Sequence, residues 1–410
     1  MKAIRFHANI PRYLLTKALG KLTQSAYYSF FPPTKLDDIP EPEVRPGWVK
    51  VQTKYAGICG SDVNTVLLRE SPLLEPLCSF PSVMGHENVG IVAEVGEDVT
   101  GLKRGDRVVL DPILSCKTRG IPLCHHCEKG NNVRCDNYDA TENLSSGFDT
   151  GWCHDTGGAF SPYYLAHESS LFKVPKNVSD ENAVLVEPLT VGIHAVTRYL
   201  PQDTDDVIVI GAGVIGIMVI TALRALGCKA NIIAVDKVES QGKLAVERGG
   251  ADKFIQVKKD YYKNLAKDFN ARLYSPLLEK KELVVGGGAD VVFECVGLPN
   301  TIEDALRFTK AGGKMVLIGN PDKITIDWSL IWFREIKVLG SFGSCIEDFG
   351  DTKKHAFNIA LELMSSGKVD LSWMITHKFN FPRDYKKAFK SCFNKAKYNM
   401  MKAVFSFDED

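Results

Sequence analysis

The strongest constraint on the fold is a glycine-rich turn between an apolar strand and a helix. The run VIVI at residues 207–210 precedes GAGVIG at residues 211–216, and a helical pattern follows over residues 217–226. In such a GxGxxG pattern the first glycine permits a tight turn, the second lets a pyrophosphate approach the backbone, and the third lets the helix pack against the strand. The free N–H groups at the start of the helix then face the phosphates. The sequence therefore predicts a dinucleotide-binding βαβ unit.

An acidic residue at the end of the next strand favours NAD as the dinucleotide. The run NIIAV at residues 231–235 is followed by Asp236, 20 residues beyond Gly216. A carboxylate there binds the ribose hydroxyls and repels a 2′-phosphate. Lys237 and Lys243 leave NADP open as the alternative. The candidate cofactor-binding residues are Gly211, Gly213, Val214, Ile215, Gly216 and Asp236.

The chain alternates between two sequence patterns, which predicts two domains. Its 410 residues exceed the roughly 250–300 residues at which a single hydrophobic core stops growing. Short strand patterns with Gly and Pro turns fill the first part, whereas helical runs alternate with apolar strands from about residue 179 to residue 340. Such alternation indicates a parallel sheet. The predicted fold class is α/β, with a doubly wound parallel-sheet domain (189–340) inserted into a β-rich domain (1–188 and 341–410).

Two further stretches look like additions to these domains. Residues 12–31 place apolar side chains at helical spacing, which predicts an amphipathic helix that ends before two prolines. These side chains are Leu15, Leu19, Leu22, Ala26 and Phe30. The helix could pack on its own domain, contact another subunit or cap the active site. Residues 257–285 are rich in Lys and Tyr and predict a lengthened helical connection.

Charge and composition exclude several functional classes. Fifty basic and fifty acidic residues cancel, so no overall field attracts nucleic acid or an anionic membrane. The first residues lack the apolar core of a signal peptide, and no apolar run reaches the ~18–20 residues that span a bilayer. A cytoplasmic protein is expected. In that setting the eleven cysteines indicate thiols and metal sites rather than disulfides.

Four of these cysteines are spaced to hold a structural metal. They fall within twenty residues of a loop, residues 112–138, and are Cys116, Cys124, Cys127 and Cys135. The central CxxC step lets two sulfurs bind one ion, and the flanking cysteines complete a tetrahedral site with no open position. The sequence therefore predicts a structural zinc site.

A second set of residues predicts a catalytic zinc. Cys59 in CGSD and His86 in GHE offer the sulfur and nitrogen ligands of a site that keeps one position open. Glu87 and Glu187 compete for the third protein position. Both carboxylates together would place too much negative charge on the ion, so we expect them to exchange, with one ligating while the other holds a water molecule.

Ser61 supplies the hydroxyl that passes on the substrate proton. It stands two residues after Cys59 and beside Asp62, so its alternative role is that of a helix cap. The candidate catalytic residues are Ser61 and Glu187.

In chain order, these motifs resemble those of the zinc-dependent medium-chain dehydrogenases, and within them the polyol (sorbitol-like) and threonine dehydrogenase branches. The resemblance spans nearly the whole chain and includes GICGSD, GHENVGIVAEVG, GGAFSPYYL, VEPLTVGIHAV, GAGVIG and SGKVDLSWMITHKF. It implies a GroES-like catalytic domain, a Rossmann domain, one catalytic and one structural zinc per chain, and NAD. It also implies a homodimer or homotetramer, and residues 328–336, WSLIWFREI, could pair subunits or pack in the core.

The resemblance also assigns roles to single residues. Cys59, His86 and Glu87 match the catalytic zinc motif, and Ser61 matches the hydroxyl that relays the proton. Alcohol dehydrogenases of the other main branch have a third ligand cysteine at the position of Glu187. A glutamate at this position is similar to the polyol branch. Asn64 departs from the pattern, because many members have a titratable histidine there. The first cysteine interval of the lobe and the segment after Asp236 are longer than usual.

Together these features predict an NAD-dependent oxidoreductase. Hydride would pass from a secondary alcohol, such as a polyol, a sugar or another hydroxylated small molecule, to NAD, while Ser61 takes the proton. An aldehyde or ketone reductase of the same superfamily and a non-catalytic dinucleotide-binding scaffold are the alternatives.

Overall fold

A computed structural model describes residues 1–29 and 31–407 of the chain. Phe30, predicted to lie in a helix, and residues 408–410 of the predicted β-rich domain lie outside the described residues. The strands are β1 (Lys2–Phe6), β2 (Thr34–Asp38), β3 (Trp48–Gly57), β4 (Ser82–Val83), β5 (Glu87–Val95), β6 (Arg107–Leu110), β7 (Tyr163–His167), β8 (Leu171–Lys173), β9 (Asp206–Ile210), β10 (Asn231–Asp236), β11 (Lys253–Gln256), β12 (Arg272–Tyr274), β13 (Leu283–Val285), β14 (Ala289–Glu294), β15 (Thr309–Leu317), β16 (Lys337–Gly340), β17 (Ile346–Phe349), β18 (Thr352–His355), β19 (Ile375–Asn380) and β20 (Lys402–Ser406).

The α-helices are α1 (Ile10–Gly20), α2 (Gly60–Val66), α3 (His125–Glu128), α4 (Asp180–Ala183), α5 (Val186–Arg198), α6 (Val214–Ala225), α7 (Glu239–Leu244), α8 (Tyr261–Asp268), α9 (Pro299–Phe308), α10 (Ser329–Arg334), α11 (Ala356–Ser365) and α12 (Tyr385–Cys392). Within residues 1–29 and 31–407, none of the helices combines the length and the apolar character that a membrane span needs. The chain divides into two compact units, one formed by Met1–Glu187 with Ser344–Asp410 and the other by Pro188–Gly343.

The second unit is built on a parallel sheet. Its strand order is β11-β10-β9-β14-β15-β16, and each neighbouring pair runs parallel. The order reverses between β9 and β14, as it does in doubly wound nucleotide-binding sheets. Side chains such as Ile208 and Val292 are completely buried, as expected for strands covered on both faces. The predicted α/β class with a doubly wound sheet is confirmed.

The first unit is β-rich, also as predicted. Its largest sheet has the order β19-β20-β3-β5-β6-β8, and β7 pairs with the other half of β3. A smaller sheet has the order β2-β1-β4. In the large sheet, Gly57 at the end of β3 pairs with Glu87 at the start of β5. This register brings the loop after β3 next to the residues that precede β5, which positions the candidate metal ligands.

The helix predicted over residues 12–31 is wrong in its length and in its buried face. Helix α1 ends at Gly20, and a separate 3-10 turn covers Gln24–Tyr27. The chain folds back so closely that a Cβ on Gly20 would lie 2.2 Å from the Tyr27 ring. Thr16 is buried, whereas Leu22 is 84% exposed.

The helical connection predicted over residues 257–285 is also wrong for most of its length. Helix α8 covers only Tyr261–Asp268, and strands β12 and β13 pair as an antiparallel hairpin. Asn270 ends the helical stretch because its φ of 51° lies in the left-handed region. Leu273 and Leu283 of the hairpin then pack on the apolar core of the second unit.

The aromatic stretch at residues 328–336 forms α10 beside the edge of the parallel sheet. Trp332 and Phe333 are largely exposed, and β16 is the last strand in the sheet order. The pairing of subunits through this stretch stays a prediction.

Candidate active site

Three predicted ligands of the catalytic metal lie close together in the first unit. Cys59 caps the start of α2, and His86 and Glu87 stand where β5 begins. Their ligand atoms all lie within 4.8 Å of one another. A Cβ on Gly57 would lie 2.1 Å from Oε2 of Glu87, so the glycine leaves the space that this carboxylate occupies. The cluster offers one sulfur, one nitrogen and one oxygen, which is a donor set that suits zinc.

Asp62 is buried beside two of these ligands. Its Oδ2 accepts a hydrogen bond of 2.8 Å from the backbone N–H of Cys59, and its Oδ1 lies 3.9 Å from Nδ1 of His86. Burial lowers the pKa of His86, but Cys59 and Asp62 outweigh this effect and raise that pKa well above its ordinary value. The surroundings of His86 therefore favour positive charge, and a divalent cation can supply it in place of a proton.

Glu87 also forms an ion pair with Lys402, at the start of β20. Lys402 is 1% exposed. Its burial lowers its pKa, but the charge of Glu87 raises it and prevails. Sequence reasoning missed this lysine, although a lysine within the apolar run MMKAVF signals a buried counter-charge.

Glu187, the other candidate for the third position, lies in the first turn of α5. Burial raises its pKa to about 8, His86 opposes this shift, and Glu87 reinforces it. Among the described residues, the group of possible ligand atoms within 4.8 Å contains Glu87 and not Glu187. Glu187 therefore lies in electrostatic reach of the cluster but outside its closest set.

Ser61 is the second residue of α2 and not its cap, because Cys59 takes that position. The predicted alternative role as a helix cap is therefore wrong. Its backbone carbonyl accepts a hydrogen bond of 2.9 Å from Thr65. Its Oγ is buried without a hydrogen-bond partner in the described part of the chain. This hydroxyl is thus free to serve a bound molecule.

Asp149 is a further acidic residue that sequence reasoning missed. It is 7% exposed. Burial raises its pKa to about 7, the nearby His86 opposes this shift, and Asp111 reinforces it. The surrounding loop gives no motif from which this position could be read.

The four predicted cysteines of the structural site also come together. Their sulfur atoms all lie within 4.8 Å of one another, and Sγ of Cys116 lies 3.5 Å from Sγ of Cys135. The Asn137 side chain donates to Cys116 at 3.2 Å, and its backbone N–H donates to Cys135 at 3.4 Å. N–H donors of this kind stabilise thiolates. A cation such as zinc would compensate four thiolates in this space.

The thiol pKa values differ within this cluster. For Cys124, burial raises the pKa, but backbone N–H donors including that of Asp136 lower it to about 7. Burial raises the pKa of Cys135 to about 11. Backbone N–H donors therefore favour the thiolate of Cys124, whereas burial disfavours that of Cys135.

Arg119 fixes the segment that follows the lobe. It is 1% exposed, and its guanidinium donates to backbone carbonyls over residues 138–147. The acceptors are Tyr138, Ala140, Leu144, Ser145 and Gly147. The carbonyls that Arg119 binds lie 19 to 28 residues further along the chain. No local sequence pattern could therefore have predicted this role of Arg119.

The second unit holds the predicted dinucleotide turn between β9 and α6. Gly211 has a φ of 95°, and a Cβ on Gly216 would lie 1.7 Å from the Gly211 carbonyl oxygen. A Cβ on Gly213 would meet nothing within 4 Å, which leaves this side of the turn open to a ligand. Val214 and Ile215 begin helix α6, whose first N–H groups are available to phosphate oxygens. The turn follows β9, where the strand order of the sheet reverses.

Asp236 is held beside this turn by two backbone N–H donors. Oδ2 accepts from Ala212 at 2.7 Å, and Oδ1 accepts from Val238 at 2.6 Å. Of the two lysines that left NADP open, Lys243 is paired with Glu239 at 2.9 Å. The two backbone hydrogen bonds fix the Asp236 carboxylate beside the glycine turn.

Two family models and several known proteins match this chain. Residues 45–176 match the family model of the alcohol dehydrogenase GroES-like domain, and residues 214–365 match that of zinc-binding dehydrogenase. A sorbitol dehydrogenase of Arabidopsis thaliana is 34% identical over 342 residues, which is 83% of each chain. An L-idonate 5-dehydrogenase of Vitis vinifera is 33% identical over 85% of this chain and 86% of its own. The crystal structure of 2R,3R-butanediol dehydrogenase from Bacillus subtilis superposes with a TM-score of 0.70, 28% identity and 99% coverage of each chain.

Proposed function

Because the chain belongs to the polyol branch of the zinc-dependent medium-chain dehydrogenases, we propose that it oxidises a secondary alcohol of a polyol or sugar with NAD. The observation that carries this proposal is the cluster of Cys59, His86 and Glu87 within 4.8 Å. Sorbitol and L-idonate dehydrogenases among the relatives support a substrate with several hydroxyls. An aldehyde or ketone reductase would use the same residues in the opposite direction.

We further propose which residues hold the metals and the cofactor. Cys59, His86 and Glu87 hold the catalytic zinc with Glu187 beside it, and the four lobe cysteines hold a second zinc. Gly211, Gly213, Val214, Ile215, Gly216 and Asp236 hold NAD. In this assignment the β-rich parts of the chain, 1–188 and 341–410, form the catalytic domain, and residues 189–340 form the NAD domain.

The residues of the chain prepare the alcohol for hydride loss. When bound, zinc lowers the pKa of a hydroxyl, and the nicotinamide of NAD accepts the hydride. Ser61 Oγ, which has no hydrogen-bond partner in the described part of the chain, would accept the hydroxyl proton and at the same time release its own proton to solvent water. Asp62 fixes the backbone of Cys59 through its hydrogen bond to the Cys59 N–H and places a negative charge 3.9 Å from Nδ1 of His86. Lys402 balances the charge of Glu87.

The activity itself can be tested with purified, zinc-loaded protein. We expect sorbitol and other polyols to reduce NAD, and we expect a lower rate with NADP because the Asp236 carboxylate repels a 2′-phosphate. Absorbance of the reduced cofactor separates a dehydrogenase from a reductase. It is measured for alcohol oxidation with NAD and NADP and for carbonyl reduction with NADH and NADPH. A protein that binds NAD and zinc but converts no alcohol or carbonyl compound would instead support the scaffold alternative.

Replacement of Asp236 by asparagine should shift cofactor preference toward NADP. The variant keeps one side-chain oxygen, which can accept from either Ala212 or Val238, and places an amide NH2 against the other N–H. It also loses the negative charge. We expect the ratio of kcat/KM for NAD over NADP to fall by about tenfold or more, which corresponds to about 1.4 kcal/mol. Asp268→Asn, which removes an acid paired with Lys253 at the start of β11, is the control and should leave the ratio unchanged. An unchanged ratio in the Asp236 variant would exclude Asp236 as the residue that selects NAD.

Replacement of Ser61 by alanine should lower kcat by about 10²-fold or more, in the range found for general acid–base groups. Zinc content should stay at the wild-type value, and Ser61→Thr should restore most of the rate because it keeps the hydroxyl. Thr34→Val removes another buried hydroxyl without a described partner and serves as the control for stability. Equal rates for the alanine variant and wild type would mean that the proton leaves by another group.

A further inference from the structure

We propose that Asp149 binds a second hydroxyl of the substrate, adjacent to the alcohol that is oxidised. This residue would then select neutral diols and polyols over simple alcohols. The inference rests on the proposed function, because it requires an alcohol at the Cys59–His86–Glu87 cluster.

The backbone around Asp149 is fixed beside the metal-site loop. Asp149 forms an isolated β-bridge with Ile113, and its carbonyl accepts a hydrogen bond of 3.0 Å from Trp152. Gly151 lies beside the residue before His86, because an added Cβ would stand at van der Waals distance, 3.6 Å, from the nitrogen of Gly85. Residue 149 therefore has a definite position relative to the cluster.

The Asp149 side chain is buried but lacks the partners that a buried carboxylate needs. It is 7% exposed, and Oδ1 has no hydrogen-bond partner in the described part of the chain. Leaving a polar group in this state costs stability, so proteins rarely retain one without a use. The missing donor can come from a bound molecule.

Two neighbouring acids differ from Asp149 in this respect. Asp62 accepts from the backbone of Cys59 at 2.8 Å. Asp111 lies 3.2 Å from Nε2 of His355 and accepts from the N–H of Ile113 at 3.2 Å. Of the three aspartates Asp62, Asp111 and Asp149, it is Asp149 that has a carboxylate oxygen able to accept a hydrogen bond from a ligand.

The charge of the surroundings favours a hydroxyl as that ligand. Gly151 and Trp152, which follow Asp149 in the same loop, line one small cavity together with Asp62 and His86, so this loop borders the groups proposed to hold zinc and substrate. Asp62 and Asp111 add negative charge around Asp149. A carboxylate or phosphate on the substrate would be repelled here, whereas a neutral hydroxyl donates a hydrogen bond to Asp149.

The test compares a diol with the monoalcohol that lacks only the second hydroxyl. We would measure kcat/KM for 2,3-butanediol and for 2-butanol with wild type, Asp149→Asn and Asp149→Leu. The leucine variant should lower the ratio of diol to monoalcohol by roughly tenfold or more. The asparagine variant, which keeps an acceptor oxygen, should lie between leucine and wild type. Rates with 2-butanol should stay within about threefold of wild type.

Asp155→Asn is the matched control, because Asp155 lies in the same loop and already accepts a hydrogen bond of 2.6 Å from Ser145. This control should not change the ratio. Zinc content measured on each variant detects damage to the metal site. An equal loss of rate for both alcohols, or an unchanged ratio in both Asp149 variants, would overturn the inference.

Failure of the proposed function can be distinguished from failure of this inference. If wild type oxidises neither of these two alcohols nor sorbitol and other polyols, the proposed function fails. Calorimetric titration of the zinc-loaded protein with each alcohol, in the presence of NADH, still tests Asp149 because NADH accepts no hydride. Tighter binding of the diol that is lost in Asp149→Leu supports the inference, and equal binding of the two alcohols contradicts it.

Discussion

Replacement of Cys59 by serine is expected to lower kcat/KM for alcohol oxidation by about 10³-fold, because a catalytic metal contributes several kcal/mol to such reactions. A neutral hydroxyl is a much weaker zinc ligand than a thiolate. With Cys59 gone, only His86 and Glu87 remain in the described cluster, and Glu87 is shared with Lys402. Elemental analysis should therefore find about one zinc per chain fewer than in wild type.

The control for this variant is Cys392→Ser. Cys392 is a buried cysteine of the same unit that lies outside the cluster, so the same chemical change should leave zinc content and rate close to wild type. Full zinc content together with a normal rate in Cys59→Ser would contradict the assignment of Cys59 as a ligand.

Two glutamine variants extend this result to the third ligand. If Glu87 ligates, Glu87→Gln loses zinc, whereas Glu187→Gln keeps it and loses about 10- to 100-fold in activity as a neighbouring group. Glu87→Gln also leaves the buried Lys402 without its counter-ion, which costs about 3–5 kcal/mol. The double variant Glu87→Gln with Lys402→Met removes that penalty, so its zinc content reports ligation alone. Zinc loss in Glu187→Gln and not in the double variant would make Glu187 the ligand.

Local patterns were sufficient to predict the fold class and to name two sets of residues that the fold brings together, namely Cys59, His86 and Glu87, and the four lobe cysteines. The glycine turn at residues 211–216 requires a specific backbone within a few residues, and the predicted strand and helix on either side of it are present. The GHE and CGSD motifs likewise place their ligands through short segments next to paired strands. The membership in the zinc-dependent medium-chain dehydrogenases that these motifs implied is confirmed by the matching family models.

Contacts between distant segments could not be predicted in this way. Lys402 reaches Glu87 because β20 pairs with β3, and β3 pairs with β5. Asp149 depends on a loop whose only regular contact is a single bridge to Ile113. The N-terminal helix was overextended for a related reason, because Tyr27 packs on Gly20 and this tertiary contact overrides the helical spacing of the leucines.

Replacement of Cys127 by serine should remove the second zinc and destabilise the first unit. Structural zinc contributes about 10–16 kcal/mol of apparent binding free energy in small zinc-binding peptides, so we expect the loss of several kcal/mol in the free energy of unfolding. The lobe has little regular structure to compensate, since α3 covers only His125–Glu128. Elemental analysis, calorimetry and limited proteolysis of residues 112–138 would measure the effect.

Cys153→Ser provides the comparison that isolates the metal from the loss of a buried thiol. Cys153 is fully buried in the same unit, and its sulfur contacts the carbonyl oxygen of Ser145 at 3.4 Å. A serine hydroxyl can donate to that oxygen, so this variant should keep its zinc and lose little stability. At position 127 a serine hydroxyl cannot replace the sulfur in this way. The neighbours of Cys127 are the three other cysteines of the cluster, and their thiolates repel one another unless a cation is bound between them. If both variants unfold at the same temperature with unchanged zinc content, burial and not metal binding explains the four cysteines.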